Sequence, residues 1–286
     1  LTTFTSADPI KSFIGTIERS MGAFHVLHFG LLFFVAAVAL KTRKEWNALL
    51  TISIALSLFA ALDLTIPVIG GKPVPATFAG NPIFLAAYLL FHMCFAAYLI
   101  GESKKNWVRI LLGVIVVVLF GAIVVSGVRG AFLGAAAGAF YLVAHLAWQH
   151  KNLRIHLVGL LLIATAAYGL IYVNKNSPAL INNSIVQSVT NFDLKDNTIA
   201  ARFAMWKIAL NGIAERPLLG WGRENYSLVF NKHFDKSFEE ARVSEGWEDR
   251  AHNVFVDESI YGGIIGLLSY LFLLAAIYFT IRKQPF

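Results

Sequence analysis

The chain has 286 residues, 57% of them hydrophobic and 14% charged, with a mean hydropathy of +0.64, a net charge of +7 and one cysteine. A soluble domain carries about 25% charged residues and scatters its apolar positions, so this composition excludes a soluble globular protein. Cys94 has no partner, which excludes a disulfide framework.

The chain opens on Leu1 rather than Met, and its first apolar run begins only at residue 21 and is longer than a signal-peptide core. It therefore reads as part of a longer protein. Seven apolar runs follow, at 21–40, 46–64, 82–100, 107–125, 130–148, 155–173 and 254–279. Each approaches or exceeds the roughly 20 residues with which an α-helix crosses a ~30 Å hydrocarbon core. None alternates as the strands of an outer-membrane barrel do, so helices must satisfy the backbone. The expected fold is an all-α integral membrane protein of about seven transmembrane helices.

Charge orients these helices. Lys41, Arg43 and Lys44, then Lys104, Lys105 and Arg109, then Lys151 and Arg154, then Arg282 and Lys283 flank alternate helix ends, with only Glu45 and Glu102 among them, a net +8. The positive-inside rule makes these segments cytoplasmic. Residues 1–20, 63–81, 126–129 and 174–252 then face the other side, so a cytoplasmic N-terminus for the intact protein needs an odd number of further upstream helices. Segment 174–252 holds ten basic and ten acidic residues, which leaves no basic stripe for nucleic acid.

The stretch from Gly70 to Pro82 is a turn-rich loop, with Pro82 opening the third run where a missing N–H is tolerated. The 79-residue segment 174–252 is too long for an idle connection. Within it Ile199, Phe203, Trp206, Leu210 and Ile213 recur at helical spacing, which predicts an amphipathic helix over about 198–216, capped by Asn197 or Thr198 and stopped by Pro217. The five side chains form a stripe about 80° wide at 100° per residue, with Arg202 about 20° beyond its edge. The stripe is expected to pack on the membrane helices. Leu218-Leu219-Gly220-Trp221-Gly222 reads as a tight turn, and 232–249 as a charged, solvated stretch. The predicted organisation is thus 1–173 as six transmembrane helices, 174–252 as an extracytoplasmic loop, and 253–286 as the last transmembrane helix with its cytoplasmic tail.

Arg129 lies between two apolar runs in Ser126-Gly127-Val128-Arg129-Gly130. A cation at membrane depth costs at least a few kcal/mol, so such an arginine faces a wet cavity, pairs with an anion, or snorkels from a helix end. His252 begins the last helix in Ala251-His252-Asn253, where an imidazole can accept a proton at the membrane surface or simply serve the local structure. His25, His28, His92 and His145 lack companions at ligand spacing and read as packed or interfacial residues.

These residues carry a resemblance. Arg129 in its Ser-Gly-Val-Arg-Gly turn, Ala201-Arg202 with Met205-Trp206, the stretch from Pro217 to Gly222, Ala251-His252-Asn253 before a glycine-rich helix, and the run from Thr77 to Ala86 together resemble the O-antigen ligase family, over residues 77–270. The resemblance implies a membrane glycosyltransferase of C-type architecture in the cytoplasmic (inner) membrane. Such an enzyme takes a glycan from a polyprenyl diphosphate carrier at the extracytoplasmic face and gives it to a glycan, lipid A core or protein acceptor. It also implies catalytic roles for His252, Arg129 and Arg202.

Guanidinium forks match phosphate oxygens, so Arg129 and Arg202 suit a diphosphate, and His252 suits the acceptor proton. Arg223 and Arg250 are further candidates for the diphosphate. No metal-binding pair of carboxylates is expected beside these positions, so the chemistry is expected to be metal-independent, without a cofactor. The rival reading is a polytopic transporter of a lipid-linked or anionic substrate, but the mid-helix positions are almost wholly apolar, unlike a transporter's.

Overall fold

The computed structural model describes all residues except 1, 18, 76, 78, 153, 182, 184, 185, 188, 189, 191–196, 235, 237, 239–247 and 283–286, and the side chains of 197 and 198. Regular structure among the described residues is helical. In chain order the helices with described bounds are α1 (Pro9–Ile14), α2 (Ala23–Ala39), α3 (Arg43–Ile69), α4 (Pro82–Glu102), α5 (Asn106–Val125), α6 (Arg129–Gln149), α7 (Arg154–Val173), α8 (Asn197–Glu215), α9 (Tyr226–Lys232) and α10 (Val254–Arg282).

All seven apolar runs are helices, and the chain is an all-α integral membrane protein. Six of these helices, α3 to α7 and α10, are long and apolar enough to cross a membrane, and α2 is a shorter apolar helix of 17 residues. At 1.5 Å per residue α2 reaches only about 25 Å. It cannot extend forward, because Thr42 already caps α3. The Thr42 side chain accepts the Glu45 N–H, and the Glu45 carboxylate accepts the Thr42 N–H at 2.8 Å.

The chain divides into two compact units. Leu40–Phe192 forms one, and Leu1–Ala39 with Asp193–Phe286 forms the other. In the first unit α3, α4 and α5 enclose Ala60, Ala61, Leu64, Leu85, Leu89, Leu119, Ala122 and Ile123. Lipid removes most of the hydrophobic drive between helices, so close approach across small residues such as Ala60, Ala61 and Ala122 supplies the packing. His92 is buried, as expected. Its Nδ1 lies 2.7 Å from the Tyr88 carbonyl, so Nδ1 carries the hydrogen and Nε2 accepts from the Ser53 hydroxyl at 2.6 Å, tying α3 to α4. Asn81 caps α4 by accepting the Ile83 N–H at 2.8 Å, with Pro82 in the first turn.

In the second unit α8 occupies the expected range, while the Asn197 and Thr198 side chains lie outside the described residues. Its buried face is not the expected stripe. Ala201, Ala204, Met205, Ile208 and Ala209 pack into the core with Tyr226, Val229 and Phe230 of α9 and Ile260 of α10, whereas Phe203 and Leu210 are 61% and 62% exposed. Trp206 and Ile213 stand at the margin of that core. Small residues win here because they let helices approach closely. Gly212 illustrates this, since any Cβ there would run into Val229. Of the 232–249 stretch, expected to be solvated, residues 235, 237 and 239–247 lie outside the described residues; Phe238 is buried, with its ring centroid 5.0 Å from that of Phe230.

Helix α10 is interrupted at Gly263, where φ is 61° and ψ is −157°. The turn after Pro217 fills the interruption. Trp221 N–H donates to the Ile260 carbonyl at 2.7 Å, Gly222 N–H donates to Tyr261 at 3.0 Å, and Ile264 N–H donates back to Pro217 at 2.8 Å. Backbone groups freed by the break are thus paired within the protein, the condition under which irregular backbone is tolerated near lipid. The approach is backbone on backbone. A Cβ on Gly220 would lie 2.7 Å from the Gly263 nitrogen, and one on Gly263 would lie 2.6 Å from the Pro217 oxygen.

Candidate active site

His252 stands between Ala251 and Asn253 just before α10, with a left-handed φ of 53°. That conformation is uncommon for any residue with a Cβ. Asn253, rather than His252, caps the helix, because its Oδ1 accepts the Phe255 N–H at 3.1 Å. The His252 imidazole is left exposed, with Nε2 3.3 Å from Oε2 of Glu248. A carboxylate at that distance orients the ring.

Contrary to the expectation that no metal-binding pair of carboxylates stands beside these positions, two carboxylates adjoin His252. Glu248, Asp249 and His252 place ligand-type atoms within 4.8 Å of one another, the spacing of a cation site. Asp249 is also ion-paired with Arg19, whose Nη2 donates to Oδ1 at 3.0 Å. The signal was in plain view, two acids three and four residues before a histidine, but in a charged loop it reads as solvated surface.

Arg202 is exposed on α8. One turn later, the indole Nε1 of Trp206 donates to the Ala251 carbonyl at 2.8 Å. This bond fastens the helix carrying Arg202 to the residue that precedes His252, so the fold brings these two expected site residues into one neighbourhood.

Arg223 and Arg250 are engaged in the same unit by carboxylates and by the N-terminal segment. Arg223 Nη1 lies 3.5 Å from Glu258 Oε1, its Nε donates to the Met21 carbonyl at 3.4 Å, and its guanidinium sits 5.4 Å from the Tyr261 ring centroid. Arg250 Nη2 lies 3.4 Å from Glu224 Oε1. Glu224 also accepts from the Thr16 N–H at 3.3 Å and hydroxyl at 2.9 Å. Asn225 Nδ2 donates to Ser12 Oγ at 3.0 Å, and Ala7 N–H to the Trp221 carbonyl at 2.9 Å. Residues 7–21 therefore bind the 221–225 turn through polar contacts that no sequence pattern announced. At the far end of α8, a hydrogen bond from Lys232 holds the Glu215 carboxyl below the usual carboxylate range. Burial pushes the Tyr226 hydroxyl well above its ordinary value, and it donates to the Met205 carbonyl at 3.0 Å.

Arg129 belongs to the other unit, where it is exposed in the first turn of α6. The turn before it is closed by Ser126, whose hydroxyl donates to the Ile123 carbonyl at 2.6 Å and accepts the Val128 N–H at 3.2 Å. A guanidinium at the positive end of a helix dipole opposes the usual charge preference, and the two fields together attract an anion.

A family model described as O-antigen ligase matches residues 114–271, which include all five expected site residues. An uncharacterized protein of Haemophilus influenzae is 27% identical over 188 residues, covering 63% of this chain and 46% of that protein. Exopolysaccharide production protein ExoQ of Rhizobium meliloti is 23% identical over 200 residues, covering 64% of this chain and 46% of its own length. The chain thus spans about half the length of the curated relatives it matches. No solved structure matches. With a family model covering more than half its length and helices that suit a bilayer, the chain belongs to the O-antigen ligase family.

Proposed function

We propose that this chain carries the transfer site of a membrane glycosyltransferase of ligase or polymerase type. Its donor is a glycan on a polyprenyl diphosphate, its acceptor a hydroxyl on a glycan, lipid A core or protein, and its site faces the extracytoplasmic side of the inner membrane. The observation that carries this reading is the Trp206–Ala251 hydrogen bond, which fastens the helix bearing Arg202 to the residue before His252, within the segment matched by the family.

In this reading His252 Nε2 takes the proton of the acceptor hydroxyl. The acceptor oxygen attacks the anomeric carbon, and the bond from that carbon to the diphosphate breaks, its electron pair leaving with the diphosphate. Arg202 neutralises the charge that develops on the leaving oxygens, and Glu248 stabilises the imidazolium. Arg223 and Arg250, already paired with Glu258 and Glu224, hold the surrounding segments in place and reach the diphosphate only by exchanging those partners. Arginine supplies the cationic charge in this scheme, and no metal enters it.

The test is turnover of a defined lipid-linked oligosaccharide by the reconstituted full-length protein, offered several acceptors and read by product mass. His252→Asn is the decisive variant, because asparagine tolerates the left-handed backbone and keeps the fold. Turnover should fall by roughly 10²- to 10⁴-fold, the range for a positioned proton acceptor. EDTA should leave wild-type turnover unchanged. Normal turnover by His252→Asn would remove the catalytic assignment, and loss with EDTA restored by a divalent cation would place an ion on Glu248, Asp249 and His252.

A further inference from the structure

We infer that Asp257, acting with the Trp206 indole, is a positioning residue for His252; the inference rests on the reading of His252 as the proton acceptor. Ala251 is fully buried, and both of its backbone groups are committed. Its N–H donates to Asp257 Oδ1 at 2.8 Å and its carbonyl accepts from Trp206 Nε1 at 2.8 Å. On the other side of His252, the Asn253 carbonyl accepts the Asp257 N–H at 2.8 Å and the Asn253 side chain accepts the Phe255 N–H at 3.1 Å.

Asp257 therefore holds both neighbours of His252, one through its carboxylate and one through its amide. The peptide planes that flank His252 are fixed from α8 and from the first turn of α10. The residue between them keeps its left-handed φ of 53° because its surroundings over-determine it. An exposed imidazole on an unrestrained backbone would sweep a wide arc. Here only its own side-chain torsions remain, and these are limited by Glu248. A displacement of about 1 Å at a reacting group costs up to about 100-fold in rate, which sets the scale of what this clamp contributes.

A double-mutant cycle on turnover of the reconstituted full-length protein tests the inference. Asp257→Ala should lower kcat by roughly 10- to 100-fold with the KM for the lipid-linked donor little changed, as expected when geometry at the reacting group is lost and donor contacts are kept. Asp257→Asn presents a carbonyl oxygen to the Ala251 N–H and should recover most of that loss. Trp206→Phe, which keeps the ring and removes the N–H, should lower kcat in the same direction. In a His252→Ala background Asp257→Ala should cause no further loss, because there is no imidazole left to misplace.

A full additional loss in that background would show that Asp257 serves only general structure and would overturn the inference, as would normal kcat for Asp257→Ala. If His252→Ala alone retains normal turnover, the catalytic reading of His252 falls, and the inference falls with it.

Discussion

Arg129 occupies a position that ordinary helix electrostatics disfavours, a cation in the first turn of α6. If it holds the donor diphosphate, the planar fork matters as much as the charge. Arg129→Lys should then lower turnover substantially, with a raised KM for the donor, because an ammonium offers no bidentate match to phosphate oxygens. Equal kinetics for the lysine variant in properly inserted protein would reduce Arg129 to an interfacial anchor. At this scale the sequence revealed which residue types were out of place, Arg129 and His252 above all. It did not reveal what holds them. Asp257 reaches back six residues to Ala251, Trp206 reaches forward forty-five, and neither bond follows a local periodicity. Asn253 as the cap is readable, since an asparagine before an apolar helix is a known start signal.

The transmembrane elements were legible because hydrocarbon imposes a length on them, and every run of the sequence reappears as a helix within a few residues. The buried face of α8 was not legible. Large apolar side chains dominate any count of amphipathicity, yet the core took Ala201, Ala204 and Ala209 beside Met205 and Ile208, leaving Phe203 and Leu210 of the bulky stripe exposed and Trp206 and Ile213 at its margin. Nor does a hydropathy run disclose a break such as that in α10, where Gly263 takes a conformation essentially reserved for glycine. Gly263→Ala should destabilise the protein by roughly 1–3 kcal/mol from backbone strain alone, before the clash with Pro217 is added. Thermal unfolding of the solubilised protein should show a clear fall in Tm. Gly113→Ala in α5, where a Cβ meets nothing within 4 Å, should cause no fall. Equal Tm values for the two variants would mean that the break is not a fixed part of the fold.

For the whole molecule, the basic segments near Lys41, Lys104, Lys151 and Arg282 predict one side of the membrane, and the segment carrying α8 and α9 the other. In a Cys94→Ser background, a membrane-impermeant thiol reagent added to intact cells or right-side-out vesicles should react with a cysteine introduced beside Lys232 and spare one beside Lys104. The reverse pattern would invert the topology and move the proposed transfer chemistry to the cytoplasm. The division into two units was hidden from the sequence because one of them joins the first 39 residues to the stretch from Asp193 onward. The polar contacts of residues 7–21 with the 221–225 turn are what such a long-range union requires.

The stitching of the 217–222 turn into α10 has a consequence for the order of events during synthesis. A ribosome finishes α8 and the turn well before it finishes α10, so Trp206, Trp221 and Gly222 emerge with donors that have no acceptors until Ala251, Ile260 and Tyr261 follow them. The neighbourhood of His252 is therefore closed only once the first turns of α10 have been synthesised. A nascent or truncated chain lacks both the imidazole and the carbonyls that anchor α8. On the proposed reading of His252, a chain released before α10 would be unable to turn over the carrier lipid.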